Sequence, residues 1–140
     1  YYAKGPWSNY IDRQRSQMLG RYSTTVDGMF EEQSAPQTMG DRQGLRNLKL
    51  SGNGTSLDIT VEGMLAFSLS HVDDQQFNYD VFYGGKHPYD LTRSPQVFAH
   101  FDFWQRGIGN HSCGGDSCLP QYQVPTGKHV VTMRFAPKAE

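Results

Sequence analysis

The strongest constraint on the fold is the alternation of apolar and polar residues in the middle of the chain. Leu57, Ile59 and Val61 alternate with serine, aspartate and threonine, and the pattern resumes at residues 65–70 after Glu62-Gly63. The preceding Asn53-Gly54 pair is typical of tight hairpin turns. Because successive side chains of a strand face opposite ways, the pattern predicts a hairpin turn followed by two tightly joined, half-buried strands.

The remaining segments favour β structure as well. Residues 1–7 resemble the end of a strand entering a Gly-Pro turn, residues 97–104 and 129–135 alternate, and residues 8–15 could form a short helical turn. Asp73 or Asp74 could cap another short helix. Aromatic residues, at 13%, suit a pleated surface. We therefore predict one all-β domain over residues 1–140, an antiparallel sandwich of about seven or eight strands with minor helix.

Charge and hydropathy exclude some classes of partner. The formal net charge is −1, so the chain lacks the positive charge by which proteins attract nucleic acids or anionic membranes. No apolar run approaches the roughly 20 residues that a membrane-spanning helix needs. The chain opens at Tyr1 without a methionine, as a fragment of a longer protein would.

Residues 106–120 form the first candidate for ligand contact, since this loop contains both cysteines and several kinds of polar side chain. A disulfide between Cys113 and Cys118 would close a very small loop and stabilise the fold by ~2 kcal/mol. Free or structural thiols are the alternative. A metal site with His111 and Asp116 is disfavoured because the C-x₄-C spacing lacks a second ligand pair.

Other groups have plainer interpretations. The adjacent carboxylates Glu31-Glu32 and Asp73-Asp74 are predicted to be solvated or to cap a turn, because nothing marks them as a glycosidase pair. Solvated or interface roles are favoured for three basic residues, Arg13, Arg15 and Arg21. Packing is favoured over sugar stacking for the aromatic side chains that flank loops, Trp7, Tyr10, Trp104 and Tyr122.

Several spaced motifs resemble one known family. Residues 5–13, G-P-W-S-N-Y-I-D-R, are similar to the motif G-P-x-E-N-Y-x-D-R in the C-terminal domain of bacterial β-galactosidases of glycoside hydrolase family 2. Residues 36–42, P-Q-T-M-G-D-R, resemble the family's P-Q-E-N-G-x-R. The similarity resumes, in the family's order, at residues 65–68, 101–109 and 119–122.

The resemblance implies a fold and a role. It implies the second half of a β-supersandwich, with the topology of galactose mutarotase. The family's catalytic glutamates belong to a (β/α)₈ barrel that this chain lacks, so the resemblance implies a non-catalytic C-terminal domain with no catalytic residue. It also implies structural roles for six residues of the first motif: Gly5, Pro6, Asn9, Tyr10, Asp12 and Arg13.

The same resemblance implies that the loop lies at the rim of the active site. In the family this loop reads G-I-G-G-D-D-S-W, and its tryptophan stacks on the sugar. Here Gly114 occupies that position in an ungapped alignment, so the ring is lost. The candidate substrate-binding residues are Asn110, His111, Ser112, Cys113 and Gly114.

Further expectations follow from the resemblance. The partners would be the remaining domains of the parent polypeptide, a galactoside at the rim and a second copy in a homo-oligomer. The resemblance implies no cofactor for this segment, leaves Mg²⁺ or Na⁺ to the parent enzyme, and leaves the compartment open between bacterial cytoplasm and periplasm. A free-standing carbohydrate-binding module and a purely structural or oligomerisation domain remain the alternatives.

Overall fold

A computed structural model of the chain describes residues 1–33, 39–77, 86–108 and 118–139. Within these ranges the fold is all-β, as predicted, with six antiparallel strands in one sheet. The strands are β1 (Tyr2–Gly5), β2 (Met18–Arg21), β3 (Arg42–Gly52), β4 (Thr55–Val72), β5 (Arg93–Asp102) and β6 (Thr132–Ala139).

Helical structure is brief. Among the described residues there is one helix, α1 (Val26–Met29), with Thr25 as its cap, and three 3₁₀ turns cover Asp74–Gln76, Pro88–Asp90 and Pro120–Tyr122. The Asp73 side chain accepts from the Gln75 amide and caps the first of these turns, as predicted. In the described part of the chain, no helix is long and apolar enough to cross a membrane.

The long strand β4 organises the sheet. One edge pairs with β3, whereas the other edge pairs first with β6, from Thr55 to Glu62, and then with β5, from Ala66 to Val72. The strand order is therefore β2-β1-β3-β4-β5, with β6 beside β5 along the same edge of β4. Paired strands therefore lie on both edges of β4 at residues 55–60 and at residues 66–67, whereas residues 68–72 pair with β5 alone in the described part of the chain.

Two local predictions around β4 had different outcomes. The hairpin turn is confirmed, since Asn53 and Gly54 adopt positive φ angles of 53° and 74°. The predicted break after Glu62-Gly63 is wrong, because β4 is one continuous strand. A bulge occurs there instead. Leu45 pairs with Leu65, and the next pair is Asn47 with Thr60, so β3 advances by two residues while β4 advances by five.

A second correction concerns residues 8–15, which form no helix. The chain makes turns there, and Tyr10 forms an isolated bridge with Arg13. The physical reason is tertiary, because the side-chain oxygen of Asn9, which could have capped a helix, accepts instead from the backbone amide of Gln43 at 3.0 Å. That bond draws the segment toward the start of β3 and away from a local helical pattern.

The core lies against one face of the sheet. Its buried members come from β1, α1, β3 and β4: Ala3, Met29, Leu45, Leu48, Ile59, Val61, Leu65, Phe67 and Leu69. The opposite face of β4 is also covered between residues 65 and 70, because Ala66, Ser68 and Ser70 are buried too. The second half of β4 is therefore enclosed on both faces, which places polar side chains inside the protein.

Leu45 provides a test of this core, because its side chain is fully buried in the cluster. We expect Leu45→Ala to lower the free energy of unfolding by about 3 kcal/mol, through lost apolar contact and a residual cavity. The matched control is Leu19→Ala, since Leu19 is 40% exposed. Urea denaturation measures both, and equal losses in the two variants would contradict this assignment of the core.

Candidate functional site

The loop base consists of residues 105–108 and 118–122, which include the described ends of the candidate loop at residues 106–120. The Gly107 amide donates to the Tyr122 carbonyl oxygen at 2.8 Å and closes the loop at its ends. The Arg106 Nε atom lies 3.5 Å from the Cys118 sulfur, which is buried. The two ends of the loop are therefore fixed beside each other.

The predicted substrate contacts lie beyond the described residues. Asn110, His111, Ser112, Cys113 and Gly114 all fall in residues 109–117, and the pairing of Cys113 with Cys118 depends on the same segment. These assignments stay predictions. What the structure does place is the base from which that segment extends.

The first motif packs directly against the loop base. A Cβ atom added to Gly107 would lie 2.8 Å from the Asp12 Oδ2 atom and 2.9 Å from the Tyr122 Cβ atom. Only a residue without a side chain fits between these neighbours. Asp12 is thus part of the support of the loop, although it is remote from the loop in sequence.

Asn9 connects the same motif to β3. Its side-chain amide donates to the carbonyl oxygens of Lys4 and Trp7, and its Oδ1 atom accepts from the Gln43 amide at 3.0 Å. Asn9 is 1% exposed, so these bonds are shielded from water. Gly5 is equally constrained, since an added Cβ would lie 2.9 Å from the Tyr1 hydroxyl. Both residues are therefore closely packed, and the structural roles implied for the motif stay predictions.

Arg42 is the buried cation of this region. Its guanidinium donates to the carbonyl oxygens of Pro6, Met29 and Gly40 and forms an ion pair with Glu31 at 2.8 Å. Glu31 in turn accepts from the Ser8 amide and hydroxyl. Glu31 lies in a loop with its side chain 29% exposed, as predicted, but its carboxylate also neutralises a guanidinium of a residue that is 1% exposed, which the sequence did not indicate.

A second polar cluster joins the loop base to the sheet. The Gln105 Nε2 atom donates to the carboxylates of Asp41 and Asp102, and its Oε1 atom accepts from Gln43 Nε2 at 2.7 Å. Asp41 is completely buried, and its Oδ1 atom has no hydrogen-bond partner within the described structure. Sequence reasoning missed this cluster because 64 residues separate Asp41 from Gln105.

The environment of Asp41 changes its acidity. Burial raises the pKa of the Asp41 carboxyl to about 6, and the nearby Asp102 carboxylate contributes in the same direction. Hydrogen bonds from Gln105 and Ser68 and the charge of His100 act against this rise. Burial dominates because it removes water from the charged form.

A cleft of about 560 Å³ lies beside these groups. Its described lining includes one apolar side chain, Ile108, with polar groups from the first motif, β3 and the loop base: Tyr10, Arg13, Gln33, Asp41, Gln105 and Arg106. Such groups can bind hydroxyls. The described residues contain no cluster of three or more His, Cys, Asp or Glu side chains that could hold a metal ion.

The raised pKa of Asp41 predicts a pH-dependent stability. The neutral form of Asp41 is tolerated when buried. Its contribution to the free energy of unfolding is therefore complete below pH 3.8 and is lost as pH rises through about 6. We expect Asp41→Asn to raise the free energy of unfolding at neutral pH by about 2 kcal/mol, with little change in acid.

The control for that measurement is Asp58→Asn. Hydrogen bonding to Lys138 on the surface lowers the pKa of Asp58, so its removal gives no gain at neutral pH. Urea denaturation across the pH range compares the variants. An Asp41→Asn chain with the same pH profile as the wild type would contradict the prediction.

The close packing at Gly107 generates another prediction. We expect Gly107→Ala to destabilise the fold by about 1–3 kcal/mol, because its methyl group overlaps Asp12 and Tyr122. Gly52→Ala is the matched control, since nothing lies within 4 Å of a Cβ added there. Thermal unfolding and limited proteolysis of residues 106–120 measure the difference, and equal effects at the two glycines would refute the close fit.

Comparison with known proteins shows relatives over nearly the whole chain. Residues 1–136 match the model of the family described as β-galactosidase small chain. A β-galactosidase of Aeromonas hydrophila is 30% identical over 124 residues, which cover 89% of this chain and 11% of the relative. A β-galactosidase of Vibrio cholerae is 26% identical over 136 residues, or 96% of this chain and 12% of the relative.

A third relative matches a similar share of the chain. A β-galactosidase of Staphylococcus xylosus is 28% identical over 114 residues, covering 81% of this chain and 11% of that protein. The chain thus spans about one ninth of the length of these curated relatives, in the manner of a domain. The match over residues 1–136 shows that this chain belongs to the β-galactosidase small chain family.

Proposed function

We propose that residues 1–140 form a non-catalytic domain of a β-galactosidase, in which the loop at residues 106–120 completes the rim of the galactoside site. The parent enzyme hydrolyses terminal β-galactosides. The observation that carries the proposal is the family match over residues 1–136. The relatives are named β-galactosidases, and each is much longer than this chain.

The loop base supports a rim role for physical reasons. A contact loop must hold its ends in place to present its middle reproducibly, and the Gly107–Tyr122 hydrogen bond and the Gln105 cluster supply that rigidity. The polar cleft beside the loop base provides groups suited to hydroxyl-rich ligands. We assign the contacts themselves to residues 110–114 of the loop.

The proposal also assigns assembly to this domain. Several large apolar side chains are exposed, among them Met18, Met64, Phe135 and Val130. In the proposed parent enzyme, other domains or a second copy of the polypeptide contact these side chains. We assign any Mg²⁺ or Na⁺ to other parts of the parent enzyme.

Two exposed tryptophans favour a second candidate, a carbohydrate-binding module. Trp7 is 64% exposed and Trp104 40% exposed, and flat rings of this kind stack on sugar faces. Calorimetric titration of the chain with galactose, lactose and galactans tests this alternative. Absence of heat at millimolar sugar concentrations would remove it.

The rim role predicts the kinetics of the complete polypeptide. We expect it to hydrolyse nitrophenyl galactoside, whereas residues 1–140 alone hydrolyse none. We expect His111→Ala to raise KM about threefold or more through loss of a substrate hydrogen bond. The exposed His87 provides the control variant, His87→Ala, with unchanged kinetics. Hydrolysis by the isolated segment, abolished by a carboxylate substitution within it, would sink the non-catalytic assignment.

A further inference from the structure

We propose that Gln105 and Asp41 are positioning residues for the loop base, and that the base is held most firmly when Asp41 is a neutral carboxylic acid. The proposal rests on the proposed function, because that function gives the loop its contact with a galactoside. It adds a hydrogen-bonded connection between the sheet and the loop that depends on pH. The two residues that form it, Asp41 and Gln105, lie far apart in the sequence.

The first step of the argument is the orientation of the Gln105 amide. Its nitrogen donates to carboxylate oxygens of Asp41 and Asp102, and its oxygen accepts from the side-chain Nε2 atom of Gln43 at 2.7 Å. A flipped amide would face its oxygen toward two carboxylates and its nitrogen toward another amide nitrogen, so only one orientation satisfies all three partners. Gln105 is thereby fixed two residues before Gly107.

The second step concerns how a displacement of Gln105 affects the loop. The Gly107 amide donates to the Tyr122 carbonyl oxygen at 2.8 Å, and Gly107 packs on the Asp12 carboxylate without space for a side chain. The chain between Gln105 and Gly107 contains a single residue, Arg106. A displacement of Gln105 therefore disturbs the bond that holds the two ends of the loop together.

The third step concerns the proton on Asp41. An ionised carboxylate accepts at both oxygens, yet the buried Oδ1 atom of Asp41 has no partner among the residues described. Hydrogen bonds from Gln105 and Ser68 favour the ionised form, but burial and the Asp102 carboxylate together outweigh them. The neutral form therefore removes a buried charge whose Oδ1 atom is unpaired, and it removes the repulsion from Asp102. The raised pKa of Asp41 agrees with this assignment.

Charged and titratable groups surround Asp41 on several elements. They come from β5, from the first motif and from the loop base, namely His100, Asp102, Tyr10, Arg13 and Arg106. The Asp102 carboxylate favours the neutral form of Asp41, and His100 favours the ionised form. Because imidazole groups can change charge near neutral pH, His100→Gln is a necessary control.

The experiment is hydrogen exchange with mass spectrometry on the complete polypeptide that contains residues 1–140. Protection of the peptide that includes the Gly107 amide is followed between about pH 5 and pH 8, after correction for intrinsic exchange. We expect protection in the wild type to fall by up to about tenfold as pH rises. Asp41→Asn, which mimics the neutral acid, should keep full protection throughout.

Matched variants define the outcomes. Asp102→Asn and His100→Gln should retain the pH-dependent loss, and Gln105→Leu should show low protection at every pH. A flat wild-type profile, or a pH-dependent loss that survives in Asp41→Asn, would overturn the proposal. Asp41→Asn keeps the test decisive even if Gln105→Leu does not fold, because the amide replaces the carboxyl at nearly constant volume.

A kinetic measurement tests whether the contacts of Gln105 and Asp41 affect substrate binding. In a polypeptide that hydrolyses nitrophenyl galactoside, Gln105→Leu should raise KM about threefold or more and change kcat less. An unchanged KM would overturn the positioning role. A polypeptide without galactosidase activity would refute the proposed function, while hydrogen exchange would still decide whether Asp41 and Gln105 hold the loop base.

Discussion

The buried guanidinium of Arg42 is the interaction on which the arrangement of this domain depends. It bonds to carbonyl oxygens in the first motif, at the end of α1 and before β3, and its charge is balanced by Glu31. A buried charge is tolerated only when its donors are satisfied. The segments around Arg42 are therefore not free to move separately, and the first motif is held at the start of β3.

That anchorage places polar groups where the sheet meets the loop. Asp41 and Gln43 flank Arg42 and lie opposite the second half of β4, which is enclosed on both faces. Gln105, just beyond the end of β5, binds Asp41, Asp102 and Gln43 together. The outcome is a rigid loop base with a buried carboxyl, and the chemistry of that carboxyl follows from its burial.

Membership in the β-galactosidase small chain family gives this geometry its context. The chain has about one ninth of the length of its relatives, and the described residues present the loop base with a polar cleft beside it. The first motif, which the family resemblance identified, packs against the loop base through Asp12 and Gly107. The motif and the loop are thus parts of one structure, although nearly 100 residues separate them.

The sequence by itself determined the β class, the Asn53-Gly54 hairpin and the cap at Asp73, because alternation, turn chemistry and capping act between near neighbours. It also indicated the family, through spaced motifs. Only the tertiary structure decided that β4 continues through a bulge at Gly63, that Asn9 prevents a helix, and that Glu31 neutralises Arg42. These outcomes, like the meeting of Asp41 with Gln105, depend on contacts between distant segments, which no local pattern contains.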